Sequence, residues 1–118
     1  MTTSILVIDD LRNFRDGRGA EYARTSAEGL DILERNAPLD ELWLDHDLGM
    51  LESGRPDTIM PVIDYLAGLA FDGRPYPVKR VVVHTSNPVG ARQMVQSLQN
   101  YGYNVTRVDA MVYFIVED

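Results

Sequence analysis

The chain has no cysteine, which excludes disulfides and thiolate metal sites outright. Basic residues are scarce: 11 Lys and Arg stand against 18 Asp and Glu, a formal net charge of -7 at pH 7. Binders of duplex nucleic acid present a basic face to the phosphate backbone, so this balance argues against that class. A local cluster of arginines still suffices to hold a small anion. Apolar runs are all too short to span a bilayer, and the first residues lack the charged-then-apolar order of a leader. These absences predict a soluble cytoplasmic protein with no membrane partner. Internal repeats and low-complexity segments are also missing. At 118 residues the length fits a single domain, 1–118, with one core.

What is present centres on Leu42-Trp43-Leu44-Asp45-His46-Asp47-Leu48-Gly49, an apolar run that ends in two carboxylates flanking an imidazole. Ionisable groups at the end of a buried strand are costly unless they bind something. Two other apolar runs end in the same way. Ile5 to Ile8 leads into Asp9-Asp10, and Val81 to Val83 leads into His84-Thr85-Ser86-Asn87. Both histidines of the chain lie in these endings.

The runs themselves lack alternation, as strands buried on both faces of a parallel sheet do. A short strand is predicted at Glu21 to Arg24. Thr25 and Glu28 have capping-box spacing, opening a helix to about Asn36 that buries Leu30 and Leu33. Glu41 to Asp45 is the next strand. The segment Leu11 to Gly19 reads as a loop with at most one or two helical turns, and Gly49 to Asp57 as a loop able to act as a lid. Ile59, Val62, Ile63, Leu66 and Leu69 recur at helical spacing, with Pro61 tolerated in the first turn. Arg80 to Thr85 is a further strand. Asn87-Pro88 starts a helix whose buried stripe is Ala91, Met94, Val95 and Leu98. Asn104 to Asp109 reads as a fifth strand, and Met111 to Val116 as a final extended run. This alternation predicts an α/β fold, a flavodoxin-like parallel sheet of order 2-1-3-4-5 with reduced first and last helices. In that order the three endings are neighbours roughly 5 Å apart.

Converging carboxylates without thiolates make an oxygen-rich arrangement suited to Mg²⁺ or Mn²⁺, which would relieve their mutual repulsion. Asp9, Asp10, Asp45 and Asp47 are the candidate ligands. The plainer alternative leaves Asp10 capping a turn and Asp47 in a loop. His46 and His84, with an ordinary pKa of about 6.5, suit an acid/base pair, with Asp45 as a third catalytic candidate. A lone histidine at a buried strand end is more often a satisfied core residue, and a metal-ligand role is a third possibility. Arg12 can grip phosphate in a bidentate way or pair with Asp10 or Asp47. Thr85, Ser86 and Asn87, at a helix N-terminus, complete the candidate phosphate-binding set.

At this level the chain resembles the receiver domain of response regulators. Asp9-Asp10 matches the acidic pair, Asp45 the phosphoacceptor and Thr85 the hydroxyl residue. The receiver lysine after the fifth strand is missing, only Arg107 standing nearby, and His46-Asp47 and His84 also depart from the pattern. Asp9-Asp10-x-Arg12, His46-Asp47-Leu48-Gly49 and His84-Thr85-x-Asn87-Pro88-x-Gly90 resemble more closely the cyclic-phosphate processing receiver-like domains. That resemblance implies a phosphoesterase-like reaction at a cyclic phosphate, either a cyclic nucleotide or the 2′,3′-cyclic phosphate end of an RNA. The rival readings are a signalling receiver phosphorylated on Asp45 and a non-catalytic module binding a phosphorylated ligand or a protein. Because the short first crossover and last segment leave one sheet face thinly covered, Val112 to Val116 and a second subunit are expected to cover it, giving a homodimer.

Overall fold

A computed structural model describes residues 3–116. Five parallel strands form the sheet: β1 (Ile5–Ile8), β3 (Glu21–Ala23), β4 (Leu39–Leu44), β7 (Val78–Val83) and β8 (Val105–Arg107). Their spatial order is β3-β1-β4-β7-β8, which is 2-1-3-4-5 when the sheet strands alone are counted. This is the flavodoxin-like order that the alternating pattern predicts.

Side chains of β1 alternate between two cores, as the period of a strand requires. Leu6 and Ile8 join Leu42, Leu44, Val81 and Val83 in the larger core. On that face pack all three long helices, α1 (Ser26–Arg35), α2 (Met60–Phe71) and α3 (Pro88–Asn100). Thr25 caps α1 by accepting from the Glu28 amide at 3.1 Å, while the Glu28 carboxylate reaches back to the Arg24 amide at 3.0 Å rather than to the cap residue. Ile32 is buried beside Leu33, whereas Leu30 is only half-buried. Gly29 lets α1 approach the sheet closely, since a Cβ there would lie 2.5 Å from Ile8 Cδ1. Two tyrosines lock the layer: Tyr76 donates to the Leu33 carbonyl at 2.7 Å, and Tyr103 donates to the Leu66 carbonyl at 2.7 Å.

The opposite face differs from the expectation. Residues 11–19 are not a plain loop, because β2 (Arg12–Phe14) pairs antiparallel with β9 (Phe114–Val116). The last run is correspondingly not extended throughout: a single turn, α4 (Ala110–Tyr113), precedes β9. Phe14 and Phe114 stack at 4.6 Å and cover Trp43, Val7 and Val82. Arg18 lies 4.6 Å over the Phe14 ring, so its side chain seals an aromatic edge instead of standing free in solvent. Val112 and Val116 themselves are exposed. The thin coverage that suggested a second subunit is thus largely made good by the chain's own ribbon.

The lid segment is also ordered. β5 (Asp47–Met50) and β6 (Pro56–Thr58) form a second antiparallel ribbon. It is moored by Asp57, which is buried and accepts from the Ser26 amide at 2.8 Å and the Ser26 hydroxyl at 2.6 Å. No helix among the described residues is long and apolar enough to cross a membrane.

Candidate functional site

β1, β4 and β7 are adjacent, so the residues just beyond their C-terminal ends meet. Oxygens of Asp9, Asp10 and Asp45 lie within 4.8 Å of one another. Asp9 is fully buried. Its Oδ1 accepts from the amides of Leu11 and Arg12, both at 2.9 Å, and its Oδ2 meets His84 Nε2 at 2.9 Å. Burial on its own would raise the Asp9 pKa, but the His84 bond and the two amides outweigh it and hold the carboxyl at about 2. Asp45 goes the other way: burial and the charge of Asp9 push it up against the opposing hydrogen bond of Thr85. Burial and the same neighbouring charges raise Asp10 as well. The cluster therefore carries incompletely compensated negative charge.

Arg12 provides part of the compensation. Its Nη1 bridges Asp9 Oδ2 at 3.3 Å and Asp45 Oδ2 at 3.0 Å. The ion pair weighed from the sequence exists, but with Asp9 and Asp45 rather than with Asp10 or Asp47. A cleft of about 410 Å³ opens beside it, lined by Arg12, Thr85, Ser86 and Arg107, among others. A larger groove of about 760 Å³ lies at the other end of the sheet, near Ser4, Leu39 and Glu41, away from every candidate site residue.

The two histidines are placed differently. His84 has no exposed surface and stacks on Phe114 at 4.4 Å, with Trp43 at 6.2 Å. Its Nδ1 is buried without a partner, so the ring reaches the site only through Asp9. His46 is partly exposed. Its Nδ1 lies 3.0 Å from Asp47 Oδ1, and Asp47 also accepts from Asn87 Nδ2 at 3.3 Å. The His46 bond and, after it, the Asn87 bond lower the pKa of Asp47, against burial. Asp47 thus sits apart from the three clustered carboxylates and orients His46 instead. The imidazole lies against Gly90, where a Cβ would come within 2.6 Å of its Cδ2.

Among the phosphate-binding candidates, Thr85 is buried and Ser86 is exposed on the cleft. Asn87 is occupied: its Oδ1 accepts from the Gly90 amide at 3.0 Å as the cap of α3, and its Nδ2 serves Asp47. Two contributors escaped the sequence reading. Arg24 donates to the carbonyls of Asp9 at 3.1 Å and Arg12 at 2.8 Å, and to the Asn13 side chain, clamping the turn that carries Asp10 and Arg12. Gly49, at φ 79°, places its α-carbon where a Cβ would be 3.0 Å from Asp10 Oδ2. Arg24 had no sequence signal, because its partners are mostly backbone carbonyls. The Gly49 position was visible only as a turn residue.

An acidic pair after the first sheet strand, a third carboxylate after the central one and a buried hydroxyl after the next define a receiver-like domain. Residues 4–100 match the family described as cyclic-phosphate processing receiver domain, and the chain belongs to that family. No curated protein matches it. Among solved structures, it is similar to a fusion carrying amino acids 181–211 of the yeast Spc42 trimeric coiled coil. The two are 15% identical with a TM-score of 0.49, over 95% of this chain and 74% of that one.

Proposed function

We propose that this domain is a metal-dependent phosphoesterase that opens a cyclic phosphate, on a cyclic nucleotide or on a 2′,3′-cyclic RNA end. The observation that carries the reading is the convergence of Asp9, Asp10 and Asp45 within 4.8 Å beside a cleft edged by Arg12, Thr85 and Ser86. The donor set fits Mg²⁺ or Mn²⁺, being all carboxylate oxygen and short of positive charge. Bound there, such an ion supplies charge stabilisation to the phosphate oxygens. The remaining work falls to the chain. Arg12 and the hydroxyls of Thr85 and Ser86 hold the phosphate. His46, with Nδ1 held by Asp47, has Nε2 left to take a proton from the attacking water. The new P–O bond forms as the ribose P–O bond breaks, and the leaving oxygen is protonated from solvent, giving a monoester. His84 acts as a positioning residue, fixing Asp9 in its ionised form.

The test is ³¹P NMR of 2′,3′- and 3′,5′-cyclic nucleotides and a cyclic-phosphate-ended oligoribonucleotide, each with protein and Mg²⁺ or Mn²⁺. Monoester signals that disappear in Asp45→Asn and His46→Gln are expected. Unchanged spectra with every substrate and metal would overturn the reading. In that case a labile mass adduct on Asp45 after acetyl phosphate treatment would mark a signalling receiver, and phosphate binding without turnover a binding module.

A further inference from the structure

Arg12 stands at the boundary between two sites. Its Nη1 rests on Asp9 Oδ2 and Asp45 Oδ2, at 3.3 and 3.0 Å, and both residues are among those whose oxygens converge. The same residue lines the cleft beside Thr85 and Ser86. Its Nε and Nη2 donate to no described residue. A divalent ion sits about 2.0–2.1 Å from a carboxylate oxygen when it is Mg²⁺. A guanidinium nitrogen at hydrogen-bond distance from the same two oxygens occupies the approach to that position. The two cations also repel one another at this range.

We infer that Arg12 serves Asp9 and Asp45 as counter-ion and is handed from the carboxylates to the phosphate when a divalent cation arrives. This inference rests on reading the carboxylate cluster as a cation site. The short distance involved favours an exchange of partners over a rearrangement of the fold. The backbone of Arg12 is held on both sides: its amide donates to Asp9 at 2.9 Å and its carbonyl accepts from Arg24 at 2.8 Å. Only the side chain is then free to swing. A guanidinium released from Asp9 and Asp45 finds its next anion in the cleft, where it can take phosphate as a fork. Conversely, phosphate in the cleft draws Arg12 away and leaves Asp9 and Asp45 more negative towards a cation. Cation and phosphate therefore tighten each other, and by linkage they do so by the same factor. The consequence is economical: without a phosphorylated ligand the protein holds its metal loosely, and without metal it holds phosphate loosely.

The experiment measures Mn²⁺ binding through loss of the free-ion EPR signal, with and without inorganic phosphate, in the unaltered protein, Arg12→Gln and Arg107→Gln. Arg107 lines the same cleft without touching the carboxylates, and so controls for a general change of charge. Arg12→Gln is expected to bind Mn²⁺ alone more tightly by about fivefold or more, the lower end of ordinary coupling between sites. It is also expected to lose most of the mutual enhancement with phosphate, while Arg107→Gln leaves Mn²⁺ affinity near that of the unaltered protein. A diamagnetic counterpart is the Arg12 Nε–H resonance, which moves on Mg²⁺ titration if the side chain changes partner. Should Arg12→Gln fail to fold, Arg12→Lys and this resonance carry the test. Mn²⁺ affinity unchanged or weakened in Arg12→Gln, or an Nε–H signal indifferent to Mg²⁺, would overturn the hand-over and leave the cation site standing. No Mn²⁺ or Mg²⁺ binding to any form would instead overturn the metal reading and this inference with it.

Discussion

Gly90→Ala separates the geometry of the site from the stability of the fold. Gly90 lies in the first turn of α3, where alanine should stabilise the helix by about 1 kcal/mol over glycine. Against this, the new Cβ would stand 2.6 Å from His46 Cδ2 and 2.8 Å from Cγ, roughly 1 Å inside ordinary carbon contact. The imidazole is the mobile partner and must rotate off its rotamer, at about 0.5–1.5 kcal/mol. Gain and cost nearly cancel, so the melting temperature should move by no more than about 5 °C in either direction. The site should respond far more. A rotated ring breaks the 3.0 Å bond to Asp47, so the His46 ring resonances should shift in ¹H–¹⁵N and ¹H–¹³C spectra, and any turnover should fall sharply. A variant with unmoved His46 resonances would refute the packing of that ring on Gly90. A loss of several kcal/mol would show that the backbone yields instead.

Three further outcomes are expected. Tyr76, 5% exposed, has its hydroxyl pushed up to about 12 by burial, whereas the unfolded chain releases that proton near 10. Its stabilisation is therefore complete below pH 10 and lost as pH rises through 12, by about 3 kcal/mol in urea unfolding, a loss that Tyr76→Phe should reduce. Asp57→Ala removes both bonds to Ser26 and should cost about 3 kcal/mol, with faster hydrogen exchange in β5 and β6; exchange unchanged there would show that the ribbon is held by other contacts. Arg24→Met touches none of the clustered carboxylates by side chain, yet should weaken phosphate binding by releasing the turn at Arg12, at a stability cost of about 1–2 kcal/mol. Phosphate affinity equal to that of the unaltered protein would argue against the clamp.

The parallel sheet was legible because Ile5 to Ile8, Leu42 to Leu44 and Val81 to Val83 are apolar without alternation, a pattern only doubly buried strands sustain. Thr25 and Asn87 announced their helices through local chemistry that needs no distant partner. The ribbons were not legible. Arg12–Phe14 and Pro56–Thr58 are short and polar, and β2 takes its partner from the other end of the chain, which no window of neighbouring residues records. The convergence of Asp9, Asp10 and Asp45 followed from strand order alone. The unequal burial of the histidines did not, because the aromatic box around His84 is built by Phe114 and Trp43, and Phe114 is held there by the unforeseen pairing of β9 with β2.

That ribbon has a consequence for how the protein is made. Arg12 pairs with Val116, so the strand bearing the residue that bridges Asp9 and Asp45 is completed by one from far along the chain. A chain emerging from the ribosome can lay down β1, β3, β4 and β7 in turn, yet the segment that overhangs their endings stays unpaired until β9 follows. Closing so long a span costs entropy, offset locally by the ladder of β2 with β9, the Arg15 bonds to Met111 and Tyr113, and the stack of Phe14 on Phe114. The nascent sheet would thus expose its carboxylates before the segment bearing Arg12 is pinned over them.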